Sequence, residues 1–136
     1  MADTVLVVDD DAPQACAMAL LLAYEGYEAR AVYTAGAAQA AFMSERPAAV
    51  LTDVQMPGQT GAELVRVLGA VPGPRVAFVL TSSPNRLMAR DIEFGHHVLL
   101  PKPFTAEQLF AAVQVALIHA RHGPPPRSHA LTRPAR

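Results

Sequence analysis

Three kinds of reactive side chain stand far apart in this chain: the carboxylates Asp9, Asp10 and Asp53, the hydroxyl of Thr81 and the ammonium of Lys102. Three carboxylates brought to one place repel one another, and a hard divalent cation bound through oxygen relieves that repulsion. Magnesium suits one or two carboxylates completed by waters and a phosphate. An ammonium is a point charge fitted to a phosphoryl oxygen, and a threonine hydroxyl can donate to another. Asp53, alone in its segment, is then left as the nucleophile, and a carboxylate that attacks phosphorus forms an aspartyl phosphate. The cation and Lys102 would neutralise charge on the transferring group.

These residues can meet only if the fold delivers them to one cleft, and the hydropathy pattern supplies such a fold. Short apolar runs alternate with helical patterns, the order that predicts a parallel sheet wrapped by helices. Strands are expected at 4–8, 27–32, 48–52, 75–81 and 98–100. Helices are expected at 12–24, closed by Gly26, at 34–45, capped by Thr34 and stopped by Pro47, and at 61–71. Two more are expected at 83–94, opened by Ser83-Pro84, and at 105–119, opened by the capping box Thr105-Ala106-Glu107-Gln108. The first and fourth strands lack polar alternation, as strands covered on both faces do. Each reactive residue follows the C-terminal end of a strand, where ligands bind in an open parallel sheet.

Composition limits the alternatives. The chain has 136 residues, 51% of them apolar, and a net charge of −1. That is one domain with a core, and nothing global draws it to nucleic acid or to an anionic membrane. No apolar stretch approaches the roughly 20 residues of a membrane-spanning helix, and the N-terminus shows no signal peptide. The single cysteine, Cys16, is expected as a packed thiol among Ala15, Ala17 and Met18. A reducing, cytoplasmic setting fits. A domain over 1–121 is expected, with a disordered tail or linker stub over 122–136; residues 123–136 hold four of the twelve prolines and three arginines.

The segments VLVVDDD (5–11), LTDVQMPGQTG (51–61), VLTSS (79–83) and LPKPF (100–104), in that order and at those separations, resemble the receiver domain of two-component response regulators. The resemblance runs from Val5 to about Ala120. It implies a doubly wound five-stranded parallel sheet of order 2-1-3-4-5 with five helices, the CheY-like fold. It implies Asp53 as the phosphorylated aspartate, Asp10 as a direct magnesium ligand, Asp9 acting more through water, and Gln55 offering its backbone carbonyl. It further implies Thr81 as the switch hydroxyl, Lys102 as the conserved-type lysine of the site, and a cis peptide at Lys102-Pro103. The donor would be the phosphohistidine of a sensor histidine kinase or histidine phosphotransfer protein, and the chain would be a phospho-acceptor rather than an enzyme turning over a substrate. A downstream effector or fused output domain and a homodimer are compatible partners.

Other readings compete for some of these residues. Asp11, two before Pro13, reads as a helix cap. His96 and His97 are adjacent in an extended segment and face opposite ways; His119 and His122 could share a helix face but lack a third ligand. Asp9-Asp10-Asp11 formally fits the Asp-x-Asp of haloacid-dehalogenase-type phosphohydrolases, yet no acidic pair follows Lys102. A degenerate receiver that binds partners without phosphorylation is a further alternative. Its motive is Leu99, which stands where receivers usually carry Tyr or Phe and cannot swing a ring between solvent and core. Pro101 is a second departure, tolerable if the fifth strand lies at a sheet edge.

Overall fold

In the computed structural model, residues 2–83 and 97–122 are described. Their elements are β1 (Thr4–Val8), α1 (Ala12–Tyr24), β2 (Glu28–Val32), α2 (Ala35–Ser44), β3 (Ala49–Asp53), α3 (Gly61–Gly69), β4 (Ala77–Ser82), β5 (Val98–Pro101) and α4 (Ala106–His122). The strands pair in parallel in the order β2-β1-β3-β4-β5, so β2 and β5 are the edges, as expected, and Pro101 lies on one of them. The helix expected at 83–94 and the tail at 123–136 lie outside the described residues.

Local chemistry explains where the boundaries fall. Asp11 caps α1 by accepting from the Gln14 amide, and Thr34 and Thr105 cap α2 and α4 through the amides of Ala37 and Gln108. Tyr27 was expected in β2, but its amide is used to close α1. It donates to Leu22 while Gly26, at φ 107°, donates to Ala23, the Schellman arrangement. The second strand therefore starts one residue later. β4 starts at Ala77 instead of Arg75 because the loop before it is held by Arg46, whose guanidinium donates to the carbonyls of Val71, Pro72 and Pro74 and lies over the Phe42 ring. The final helix runs a further turn, to His122, with Arg121 in that turn ion-paired to Asp3.

Each strand presents alternate residues to two separate cores. Val5, Val7, Leu51, Val79 and Leu100 pack under α1 and α4, against Met18, Leu22, Leu109 and Val113. Leu6, Val8, Val50, Phe78 and Leu80 pack under α2 and α3, against Phe42, Leu64 and Leu68. Cys16 departs from expectation. The buried positions of α1 are Ala15, Met18 and Leu22, and Cys16, one residue (about 100°) round the helix from Ala15, is exposed with its Sγ 3.3 Å from the Tyr33 hydroxyl.

One glycine sets how closely helix and sheet approach. A Cβ on Gly61 would stand 2.1 Å from the carbonyl oxygen of Asp53, while the Gly61 amide donates to Val54 O at 2.7 Å. A Cβ on Gly36 in α2 meets nothing. Gly61→Ala is therefore expected to lower unfolding stability by about 1–3 kcal/mol. Gly36→Ala should raise it by about 0.5–1 kcal/mol; urea melts of both variants check the contrast.

Candidate functional site

The period of two along a strand builds the site. Val5, Val7 and Asp9 lie on one face of the sheet, and so do Ala49, Leu51 and Asp53, then Ala77, Val79 and Thr81, then Val98, Leu100 and Lys102. The register ties them side by side, with Val7 against Leu51, Asp53 against Thr81, and Thr81 against Leu100. The apolar members of these rows belong to the core under α1 and α4. Where each row leaves that core at its C-terminal end, the next residue in phase is polar. All the residues singled out from the sequence thus arrive at one end of the sheet.

Lys102 sits at the centre. Its Nζ is 3.4 Å from Asp9 Oδ2, 3.3 Å from Asp53 Oδ2 and 2.6 Å from Gln14 Oε1. It is positioned by the β4–β5 ladder, where its amide donates to Ser82 O at 2.7 Å, and by the cis Lys102-Pro103 peptide that the sequence led us to expect. Asp53 Oδ1 accepts from the Gln55 amide at 3.1 Å. Asp9 Oδ1 accepts from the Asp11 amide at 2.9 Å. Single carboxylate oxygens of Asp9, Asp10 and Asp53 lie within 4.8 Å of one another, close enough to share one cation. Asp9 is only 1% exposed, whereas Asp10 is exposed and lines a cleft of about 460 Å³ together with Asp53, Gln55, Met56, Pro57, Ser83 and Lys102.

Thr81 is the remaining member. Its Oγ1 is buried and has no hydrogen-bond partner among the described residues, although the neighbouring buried hydroxyls of Thr52 and Ser82 both donate to backbone carbonyls. An orphaned buried hydroxyl costs about 1–3 kcal/mol. It stands beside Asp53 in the ladder, a donor that no oxygen among the described residues satisfies. The acidic cluster, the ammonium and this free hydroxyl fit a magnesium ion and a phosphoryl group together.

Sequence reasoning missed Gln14. Its signal was present, because residue 14 lies on the first turn of the helix that follows Asp9-Asp10, but a neutral amide drew no attention among charges. The second capping box, Thr60 with Glu63, was also missed; Thr60 Oγ1 accepts from the Glu63 amide and Glu63 Oε1 from the Thr60 amide, fixing the start of α3 behind the loop that follows Asp53.

With this geometry in hand, the comparisons with known proteins are direct. The response regulator receiver domain family matches residues 5–114, and the chain belongs to that family. It is 31% identical over 117 residues to the DNA-binding response regulator MtrA of Mycobacterium tuberculosis, covering 86% of this chain and 51% of MtrA. It is also 31% identical over 114 residues to the sensory transduction protein RegX3 of Mycobacterium bovis, covering 84% of this chain and 50% of RegX3. The chain spans about half the length of these curated relatives. Among solved structures it resembles the receiver domain of NtrX from Brucella abortus, with a TM-score of 0.76 at 28% identity, covering 84% of this chain and 98% of that one. A putative response regulator from Chloroflexus aurantiacus gives 0.78 at 27%, covering 87% and 99%.

Burial holds the Asp9 carboxyl above the ordinary carboxylate range; the Asp11 amide and Lys102 pull it back, and the charge of Asp53 adds to the rise. The folded chain therefore binds this proton more tightly than the unfolded chain does. The stability that Asp9 contributes is complete below the unfolded carboxylate pKa and is lost as pH rises through the folded one. Asp9→Asn is expected to remove that loss and so to raise stability at pH 7 in metal-free buffer relative to the unsubstituted chain. Urea melts from pH 4 to 7 check both the slope and the offset.

Proposed function

We propose that Asp53 accepts a phosphoryl group from a phosphohistidine and that the chain signals through the resulting change at its protein-contacting surfaces. The observation that carries this reading is the meeting of Asp53, Lys102 and the unpartnered Thr81 hydroxyl at the mouth of an acidic cluster. An Asp53 carboxylate oxygen attacks phosphorus, the phosphorus–nitrogen bond of the donor breaks, and the electron pair leaves with the imidazole. Lys102, already 3.3 Å from Asp53 Oδ2, moves with the developing negative charge onto a phosphoryl oxygen. Thr81 donates to a second oxygen and so gains the partner it lacks.

Asp10, Asp53 and the backbone carbonyl of Gln55 would hold a magnesium ion directly, with Asp9 behind them through water; when bound, the ion offsets the charge of the carboxylates and of the transferring group. Such a chain is a phospho-acceptor and not a turnover enzyme. Its partners are a sensor histidine kinase or histidine phosphotransfer protein upstream and an effector or fused output domain downstream. The receiver is the domain expected over 1–121, extended by His122 at the end of α4, and the rest of the expected 122–136 segment is a tail or linker. No helix among the described residues is long and apolar enough to cross a membrane, and a cytoplasmic site of action accords with a histidine-kinase donor.

Incubation with acetyl phosphate and magnesium, read by intact mass, tests the reading. One added phosphoryl mass is expected; EDTA should prevent it and Asp53→Asn should abolish it. Transfer to Asp9, or an unmodified protein with every donor tried, would overturn the assignment. Leu99 lies in β5, half-buried against the core under α2 and α3, on the sheet face opposite Lys102. Leu99→Tyr is accordingly expected to change the phosphorylation rate less than about threefold, a difference of under 1 kcal/mol, in the same assay.

A further inference from the structure

We infer that the β2 edge is a homotypic interface, where a second copy of this chain pairs its own β2 antiparallel to the first about a two-fold axis through Ala29. The inference is independent of phosphorylation. It begins with which backbone groups face outward. The Glu28 amide donates to Asp3 and the Val32 carbonyl accepts from Asp9, so residues 28, 30 and 32 turn their backbone groups toward β1. In a parallel ladder the alternate residues then turn theirs away, which leaves the amides and carbonyls of Ala29 and Ala31 at the free edge. There is no proline in this strand.

A two-fold axis at Ala29 uses those groups. Ala29 exchanges both of its hydrogen bonds with Ala29 of the second copy, and each Ala31 amide donates to the Tyr27 carbonyl opposite. In the same register Glu28 falls opposite Arg30 in both halves. These are the non-hydrogen-bonded sites of an antiparallel pair, where side chains approach most closely. Glu28 and Arg30 share one face of β2, since they pair with Thr4 and Leu6, and both are exposed. Neither makes an ion pair among the described residues. Glu-x-Arg read in reverse is its own complement, so the charge order selects another copy of this strand over an unrelated one.

The opposite face of the edge fits the same occupant. Helix α1 carries no charged residue over Ala12–Tyr24, although Leu20 is 64% and Tyr24 87% exposed. The exposed Cys16 touches Tyr33, which leaves the end of β2 on that face. A helix apolar all round implies cover on its outer side as well as its inner one. Helix α1 lies over β1 and β2. The axis keeps it and its copy on the same side of a continuous sheet. With strands about 4.8 Å apart, the two helices stand about 10 Å apart, the separation at which helices pack. Small side chains at Ala29 and Ala31 leave that approach open.

Edge charges can also serve the opposite end, keeping a monomer from pairing, and sedimentation equilibrium of the whole chain over a wide concentration range decides between them. A reversible monomer–dimer equilibrium is expected. Arg30→Glu, which sets glutamate against glutamate twice, should weaken the dimer about tenfold or more. The exchange Glu28→Arg with Arg30→Glu should restore it to within about threefold. Leu20→Lys should weaken it separately, with circular dichroism confirming that each variant is folded. A monomer at every concentration overturns the inference. So does a dimer indifferent to Arg30→Glu, or one that the exchange does not restore.

Discussion

The structure is organised around one unfavourable requirement, that Asp9 and Asp53 stand at the ends of strands with a third carboxylate beside them. Lys102 reaches back across two strands to lie between them and offsets part of that repulsion. That ammonium links the beginning of the chain, its middle and its last strand through side-chain contacts of 3.3–3.4 Å. It also explains why Asp9 tolerates burial. A carboxylate removed from water costs several kcal/mol unless paired and hydrogen-bonded, and Asp9 has both a backbone amide and the lysine.

Much of this was legible in the sequence, because the two signals that govern it are periodic. The strand rows 5-7-9, 49-51-53, 77-79-81 and 98-100-102 carry apolar residues until the last position and then a polar one, so the site residues are the final beats of buried strands. Helix caps at Asp11, Thr34 and Thr105 were visible for the same reason, since side-chain capping is local. What escaped was non-local or unremarkable in type. Gln14 is neutral, and only the tertiary placement of Lys102 gives it a role. Cys16 was misjudged because its neighbours in sequence are apolar, whereas burial on a helix follows the angular position, and Ala15 and Met18 take the inward one. Arg46 controls the start of β4 from another element altogether, which no reading of the strand itself could show.

The position of Leu99 separates chemistry from output. Its neighbours in β5, Val98 and Leu100, belong to the site's side of the sheet, and Leu99 to the other. The cluster of Asp9, Asp53, Thr81 and Lys102 is assembled without any contribution from that side. An aliphatic residue there offers no aromatic ring that could change places between solvent and core.

The clearance at Gly61 fixes how closely α3 sits against β3. With 2.1 Å between its missing Cβ and the Asp53 carbonyl, and a capping box behind it, α3 is seated directly on the backbone of Asp53. That seat acts as an abutment: a side chain at residue 61 would have to lift the helix off the strand that carries Asp53. Strand and helix are in this sense one fitted joint, and its tolerance is set at residue 61 by a carbon that is not there.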